Sequence, residues 1–125
     1  MNYLWIALGG ALGSVLRFAS SEWIQSRWPS FPWGTLFVNV LGSVLIGTLA
    51  AFSEAGRLGD TPSLRHFLMI GVLGGFTTFS SFSLQTLMLA RSGAVLMAGL
   101  NVLASVGLCL GAAWLGFTLG SQLIK

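Results

Sequence analysis

Charge is scarce along this chain, and that scarcity decides which solvent it can fold in. Of its 125 residues 7% are charged, where a water-soluble domain carries about 25%. With 54% of its residues hydrophobic, it cannot cover a surface that faces water on all sides. The sequence therefore predicts an integral, all-α membrane protein. Its length fits a single domain, residues 1–125. The net charge of +3 comes from singly scattered Lys and Arg residues. Without a basic patch for phosphates to follow, nucleic acid is excluded as a partner.

A helical span needs about 20 apolar residues, and four such stretches are predicted, at 3–25, 33–53, 64–90 and 94–123. Pro29 and Pro32 end the first. The loop "EAGRLGDTPS" separates the second from the third, and "RSG" turns the chain into the fourth. The N-terminus has neither the basic start nor the cleavage pattern of a signal peptide. Trp23, Trp28 and Trp33 gather around the first turn, where indoles favour the membrane–water interface. Small residues recur four apart: Gly9/Gly13, Gly10/Ser14, Ser43/Gly47, Gly71/Gly75, Gly107/Gly111 and Gly116/Gly120. In lipid, where apolar contact gives helices little reason to associate, such pairs allow close backbone approach.

The basic residues divide almost evenly between the two ends. Arg57, Arg65 and Lys125 lie on the face that carries both termini; Arg27 and Arg91 lie on the other, with Arg17 deeper toward it. The positive-inside rule has little imbalance to act on. The sequence thus predicts insertion both ways up, and an antiparallel, dual-topology homodimer whose axis lies in the membrane plane.

Catalysis is not expected. The acids Glu22, Glu54 and Asp60 sit near span ends and form no motif with His66. Cys109 stands alone and is expected to be a small buried side chain. A small multidrug exporter, also built from four spans, needs a buried acid, and Glu22 is too near a loop to serve. What the spans hold instead are neutral hydrogen-bonding groups. Asn39 precedes Ser43, and Asn101 precedes Ser105, by one helical turn. Residues 74–86, "GGFTTFSSFSLQT", crowd Thr77, Thr78, Ser80, Ser81, Ser83, Gln85 and Thr86 into the third span.

A single membrane Ser or Thr usually bonds back to a backbone carbonyl, but this run exceeds that explanation. Phe79, Phe82, Ser83 and Thr86 share a helix face. Phe ring edges are partially positive, so edges and hydroxyls together suit an anion that must also leave. Gly74 and Gly75, followed by two Thr, predict a break in the third helix in mid-membrane. Carbonyls freed there can coordinate a cation. Arg17 either snorkels to the interface or makes a vestibule electropositive for anions.

On "GGALGSVLRF", "WGTLFVNVLGSVLIG" and "GVLGGFTTFSSFSLQT" the chain resembles the Fluc/CrcB family of fluoride channels. The resemblance covers nearly the whole length, the fourth span matching mainly in character. It implies passive, fluoride-selective export that lowers cytoplasmic fluoride, from a multi-pass protein of the bacterial inner membrane. It implies two pores in an inverted homodimer within the lipid. A structural Na+ at the dimer centre would be held by backbone oxygens of Gly74 and Thr77. Phe79 and Phe82 map to the family's pore rings, Asn39 to its pore asparagine, and Ser80 and Ser81 to the polar residues beside the rings. Ser83, Gln85 and Ser105 extend the expected anion path. Gln85 stands where relatives often carry Glu, and Cys109 and Ala113 where they carry fourth-span hydroxyls.

Overall fold

A computed structural model describes Met1 to Lys125. Helix α1 runs Asn2–Arg27 and α2 Trp33–Glu54. The third span, Pro62–Arg91, is split into α3, residues 62–76, and α4, Phe79–Arg91. Helix α5 runs Val95–Ile124. All four spans are long and apolar enough to cross a membrane. They overrun the predicted limits to Arg27, Glu54 and Arg91. Helical hydrogen bonding needs no apolar side chain and continues past the hydrocarbon, whereas hydropathy reports only the apolar part.

The outside is largely apolar, and several polar side chains are buried within. Leu103, Leu110 and Trp114 are 73%, 68% and 71% exposed, while Thr35, Thr78, Asn101 and Ser105 are buried. That pattern fits lipid as solvent, because polar groups must find partners within the protein. Trp23, Trp28 and Trp33 project outward at one end, and the Arg27 guanidinium lies 3.9 Å from the centre of the Trp23 ring.

Small residues set the packing. A methyl group on Gly9 or Gly13 would strike the backbone of Phe67 or Val72, and one on Gly75 would lie 2.7 Å from Gly10 O. These contacts seat α1 on α3. Gly47 meets the Ala113 backbone and Gly116 the Val44 backbone, which seats α2 on α5. Thr48 Oγ1 reinforces that seam, donating to Val44 O (2.9 Å) and Gly116 O (3.1 Å). Gly107 and Gly111 face open space instead, so that pair packs nothing within the chain. The turn from α1 to α2 is held by Gln25: its Nε2 donates to Phe31 O at 3.0 Å and its Oε1 accepts from Gly34 N at 3.2 Å.

The break in the third span falls later than predicted. Gly74 and Gly75 are helical, within Leu73–Phe76. The extended residues are Thr77 (φ −88°, ψ 156°) and Thr78 (φ −150°, ψ 112°). Glycine weakens a helix without ending it, and Gly75 stays helical where it packs against α1. The β-branched threonines take the extended conformation more readily. Thr78 then caps the helix that resumes, its Oγ1 accepting from Ser81 N at 3.2 Å.

Candidate functional site: a neutral groove at the helix break

Asn39 of α2 holds the break open. Its Nδ2 donates to Thr78 O at 3.0 Å and its Oδ1 accepts from Thr78 N at 2.7 Å. One amide thus pairs with both backbone groups of one residue. Thr77 bonds back into α3, with its N–H and its hydroxyl both 3.0 Å from Leu73 O.

These bonds have a consequence for the carbonyls. An uninterrupted helix would pair Thr78 N–H with Gly74 O, and Ser81 N–H with Thr77 O. Here the first N–H goes to Asn39 and the second to Thr78 Oγ1. Gly74 O and Thr77 O are thereby released from the helical pattern. Gly74 is exposed, and the space beside its Cα is open. Released carbonyl oxygens are hard donors of the kind that suit Na+ or another hard cation. No group of His, Cys, Asp or Glu side chains is placed to hold a metal, so these oxygens are the fitting candidates.

Beside the break lies a groove of about 400 Å³, lined among others by Asn39, Gly74, Thr77, Thr78, Phe79, Phe82 and Ser105. None of its lining residues is charged. Phe82 is buried at 8% exposure, whereas Phe79 is 76% exposed; their ring centres are 5.3 Å apart with planes tilted by 53°. Cys109, expected as an ordinary buried thiol, is half-buried and lines the same groove.

The remaining predicted residues divide differently. Ser80, Ser81, Ser83, Gln85 and Arg17 do not line this groove. Ser83 and Thr86 bond back to Phe79 O (2.9 Å) and Phe82 O (2.7 Å), the ordinary behaviour of membrane hydroxyls. Ser81 Oγ accepts from Thr78 Oγ1 at 3.1 Å, and Ser80 Oγ lies 3.4 Å from the same hydroxyl. Gln85 Oε1 is buried without a hydrogen-bond partner. Arg17 is half-buried on α1.

Two residues of consequence were not among the predicted site residues: Thr78, the hinge of the break, and Asn101, buried between α4 and α5. For Asn101 a signal was present, since Asn101 and Ser105 repeat the spacing of Asn39 and Ser43. The second pair is bonded through the backbone, Ser43 Oγ donating to Asn39 O at 2.7 Å.

The sequence of this four-span chain matches, over residues 4–117, the family model described as CrcB-like protein, Camphor Resistance (CrcB). The chain belongs to the CrcB family. It is 59% identical over 116 residues to a fluoride-specific ion channel FluC of Opitutus terrae, covering 91% of this chain and 88% of that one. It is 51% identical to the protein of the same description from Rhodospirillum rubrum, covering 100% of this chain and 98% of the relative. A third, from Thermus thermophilus, is 51% identical over 98% of this chain and 96% of its own length. CrcB membership thus extends over the residues that build both the break and the groove.

Proposed function

We propose that this CrcB protein is a fluoride-selective passive channel that lets fluoride leave the cytoplasm down its electrochemical gradient. The observation that carries the reading is the groove at the helix break: largely apolar, with two phenylalanine rings and a few neutral polar groups, and free of ionised side chains. Neutral donors and ring edges bind an anion without holding it, which conduction requires. The naming of close relatives as fluoride-specific channels supports the choice of anion.

Energetically nothing further is needed. Hydrogen fluoride enters as a neutral weak acid and dissociates inside. A negative-inside potential of about 100 mV is then worth about 2.3 kcal/mol per charge for expelling the anion. The proposed location is the bacterial inner membrane, across which such a potential stands.

The proposed working unit is an inverted homodimer. The near balance of basic residues between the two ends supports it. So do the open side of the groove and the outward Gly107 and Gly111. At the dimer centre Gly74 O and Thr77 O would hold a structural Na+, which would fix the two breaks against each other. Phe79, Phe82 and Ser105 then line the anion path, with Asn39 setting its shape. Ser80, Ser81, Ser83 and Gln85 carry the path along α4 beyond the groove, and Arg17 gives the approach a positive potential.

The test is anion efflux from liposomes holding the purified protein. Fluoride should leave rapidly and chloride should not. No fluoride flux, or equal chloride flux, overturns the proposal. Crosslinking of cysteines introduced at opposite loop ends tests the inverted pairing; crosslinks confined to like ends defeat it.

A further inference from the structure

Asn101 is only 2% exposed, and the channel reading gives its amide no task. Its Nδ2 donates to Thr86 Oγ1 at 2.9 Å, and the Thr86 hydroxyl donates in turn to Phe82 O at 2.7 Å. The Ser105 hydroxyl donates to Asn101 Oδ1 at 3.4 Å. This file has a direction. Every hydrogen points from Ser105 inward, through Asn101 and Thr86, to the backbone of α4. Ser105, the member that lines the groove, therefore turns lone pairs toward it. That polarity repels an anion.

The same atoms permit the opposite polarity. An amide carries a donor and an acceptor on one planar group. When it turns over, Nδ2 donates to Ser105 Oγ and Oδ1 accepts from the Thr86 hydroxyl. The hydrogen of Ser105 is then free for the groove. Thr86 gives up Phe82 O, which in a helix keeps its backbone donor, and Ser105 gains the anion, so no bond is lost. The contact that must break first, at 3.4 Å, is the longest of the three and near the limit for a hydrogen bond.

We infer that Asn101 is a positioning residue for anion passage, whose buried amide reverses and converts the Ser105 hydroxyl from acceptor to donor as an anion enters the groove. The inference rests on the channel reading above. It makes Asn101 act through Ser105, with Thr86 as the partner that keeps the reversed amide satisfied. Without Asn101, the Ser105 hydroxyl would bond back to the carbonyl of residue 101, as membrane serines do, and stay turned from the groove.

The experiment measures fluoride efflux from liposomes for the unsubstituted protein and for Asn101→Leu, Ser105→Ala, their double variant, Thr86→Val and Thr86→Ser, each first shown to elute as a folded species. Each of Asn101→Leu, Ser105→Ala and Thr86→Val should slow efflux about tenfold, the loss of roughly one hydrogen bond. The double variant should be no slower than Ser105→Ala alone, and Thr86→Ser should restore the rate. Independent roles would instead multiply, giving a double variant about a hundredfold slow. That result, or Thr86→Val conducting normally, overturns the inference. If Asn101→Leu does not fold, the contrast between Thr86→Val and Thr86→Ser decides alone. An unsubstituted protein that passes no fluoride defeats the channel reading itself.

Discussion

Replacing Asn39 tests whether the break is held by one side chain. Its amide makes the only contacts that satisfy both Thr78 N–H and Thr78 O, across a separation of 39 residues. Asn39→Leu keeps the volume and removes both partners. Each orphaned buried group costs about 1–3 kcal/mol, so the broken geometry loses about 2–6 kcal/mol. The competing state is at hand: Thr78 N–H returns to Gly74 O and the third span winds through. Even about 2 kcal/mol shifts such an equilibrium roughly thirtyfold. Fluoride efflux from liposomes should therefore fall, by up to that factor at the lower figure and further at the higher, while the protein still elutes as a folded species. Asn39→Asp supplies the control. Protonated, the new carboxyl donates to Thr78 O and accepts from Thr78 N–H, reproducing both bonds; ionised, it can only accept. Efflux through Asn39→Asp should thus be present at acid pH and disappear as pH rises, a sense opposite to any loss of fold in acid. Asn39→Leu conducting at the unsubstituted rate would show that the clamp does not maintain the conducting geometry.

Three further outcomes follow from the same structure. Phe82→Ile should preserve folding and cut fluoride efflux, because the buried ring is replaced by a side chain of similar hydrophobicity with no polarised edge; unchanged flux would reduce Phe82 to packing. Gly75→Leu drives a side chain into Gly10 O and should destabilise the α1–α3 seam by about 1–3 kcal/mol, read as a lowered unfolding temperature in detergent; an unchanged temperature would refute the close approach. Arg17→Glu should slow fluoride entry, most at low ionic strength; an effect independent of salt would remove Arg17 from the approach path.

How much of this was legible in the sequence depended on the range of the interaction. The spans were legible because hydropathy is a local property. The seams of small residues were legible too, as Gly9, Gly13, Gly47, Gly75 and Gly116 show. Gly107 and Gly111 carry the same spacing and face open space, because spacing marks a groove on a helix without naming its neighbour. The break was expected from two glycines yet falls at Thr77 and Thr78. Local propensity identified a weak segment, and the Asn39 amide from a distant helix selected the peptide that opens. The hydroxyl run looked uniform as text. In space it divides into back-bonded groups such as Ser83 and a groove-lining cap at Thr78, because each partner is set by tertiary geometry.

On the proposed function, the break also answers how a path for ions can exist with no ionised side chain lining it. Diverting two N–H groups to Asn39 and Thr78 leaves Gly74 O and Thr77 O as surplus acceptors at the end of α3. The resumed helix α4 begins at Phe79, so its positive dipole end lies beside the groove-lining rings. One interruption thus separates partial charges in two directions: carbonyl oxygens that favour a cation, and a helix start that favours an anion. A fixed Lys or Arg in the groove would bind fluoride more tightly but also slow its release. Partial charges from the backbone avoid that trap, and they exist only while the peptide at Thr78 stays out of the helix. Conduction and the geometry of the break are therefore expected to fail together, and a variant of Asn39 that lost the break yet kept its fluoride flux would separate them.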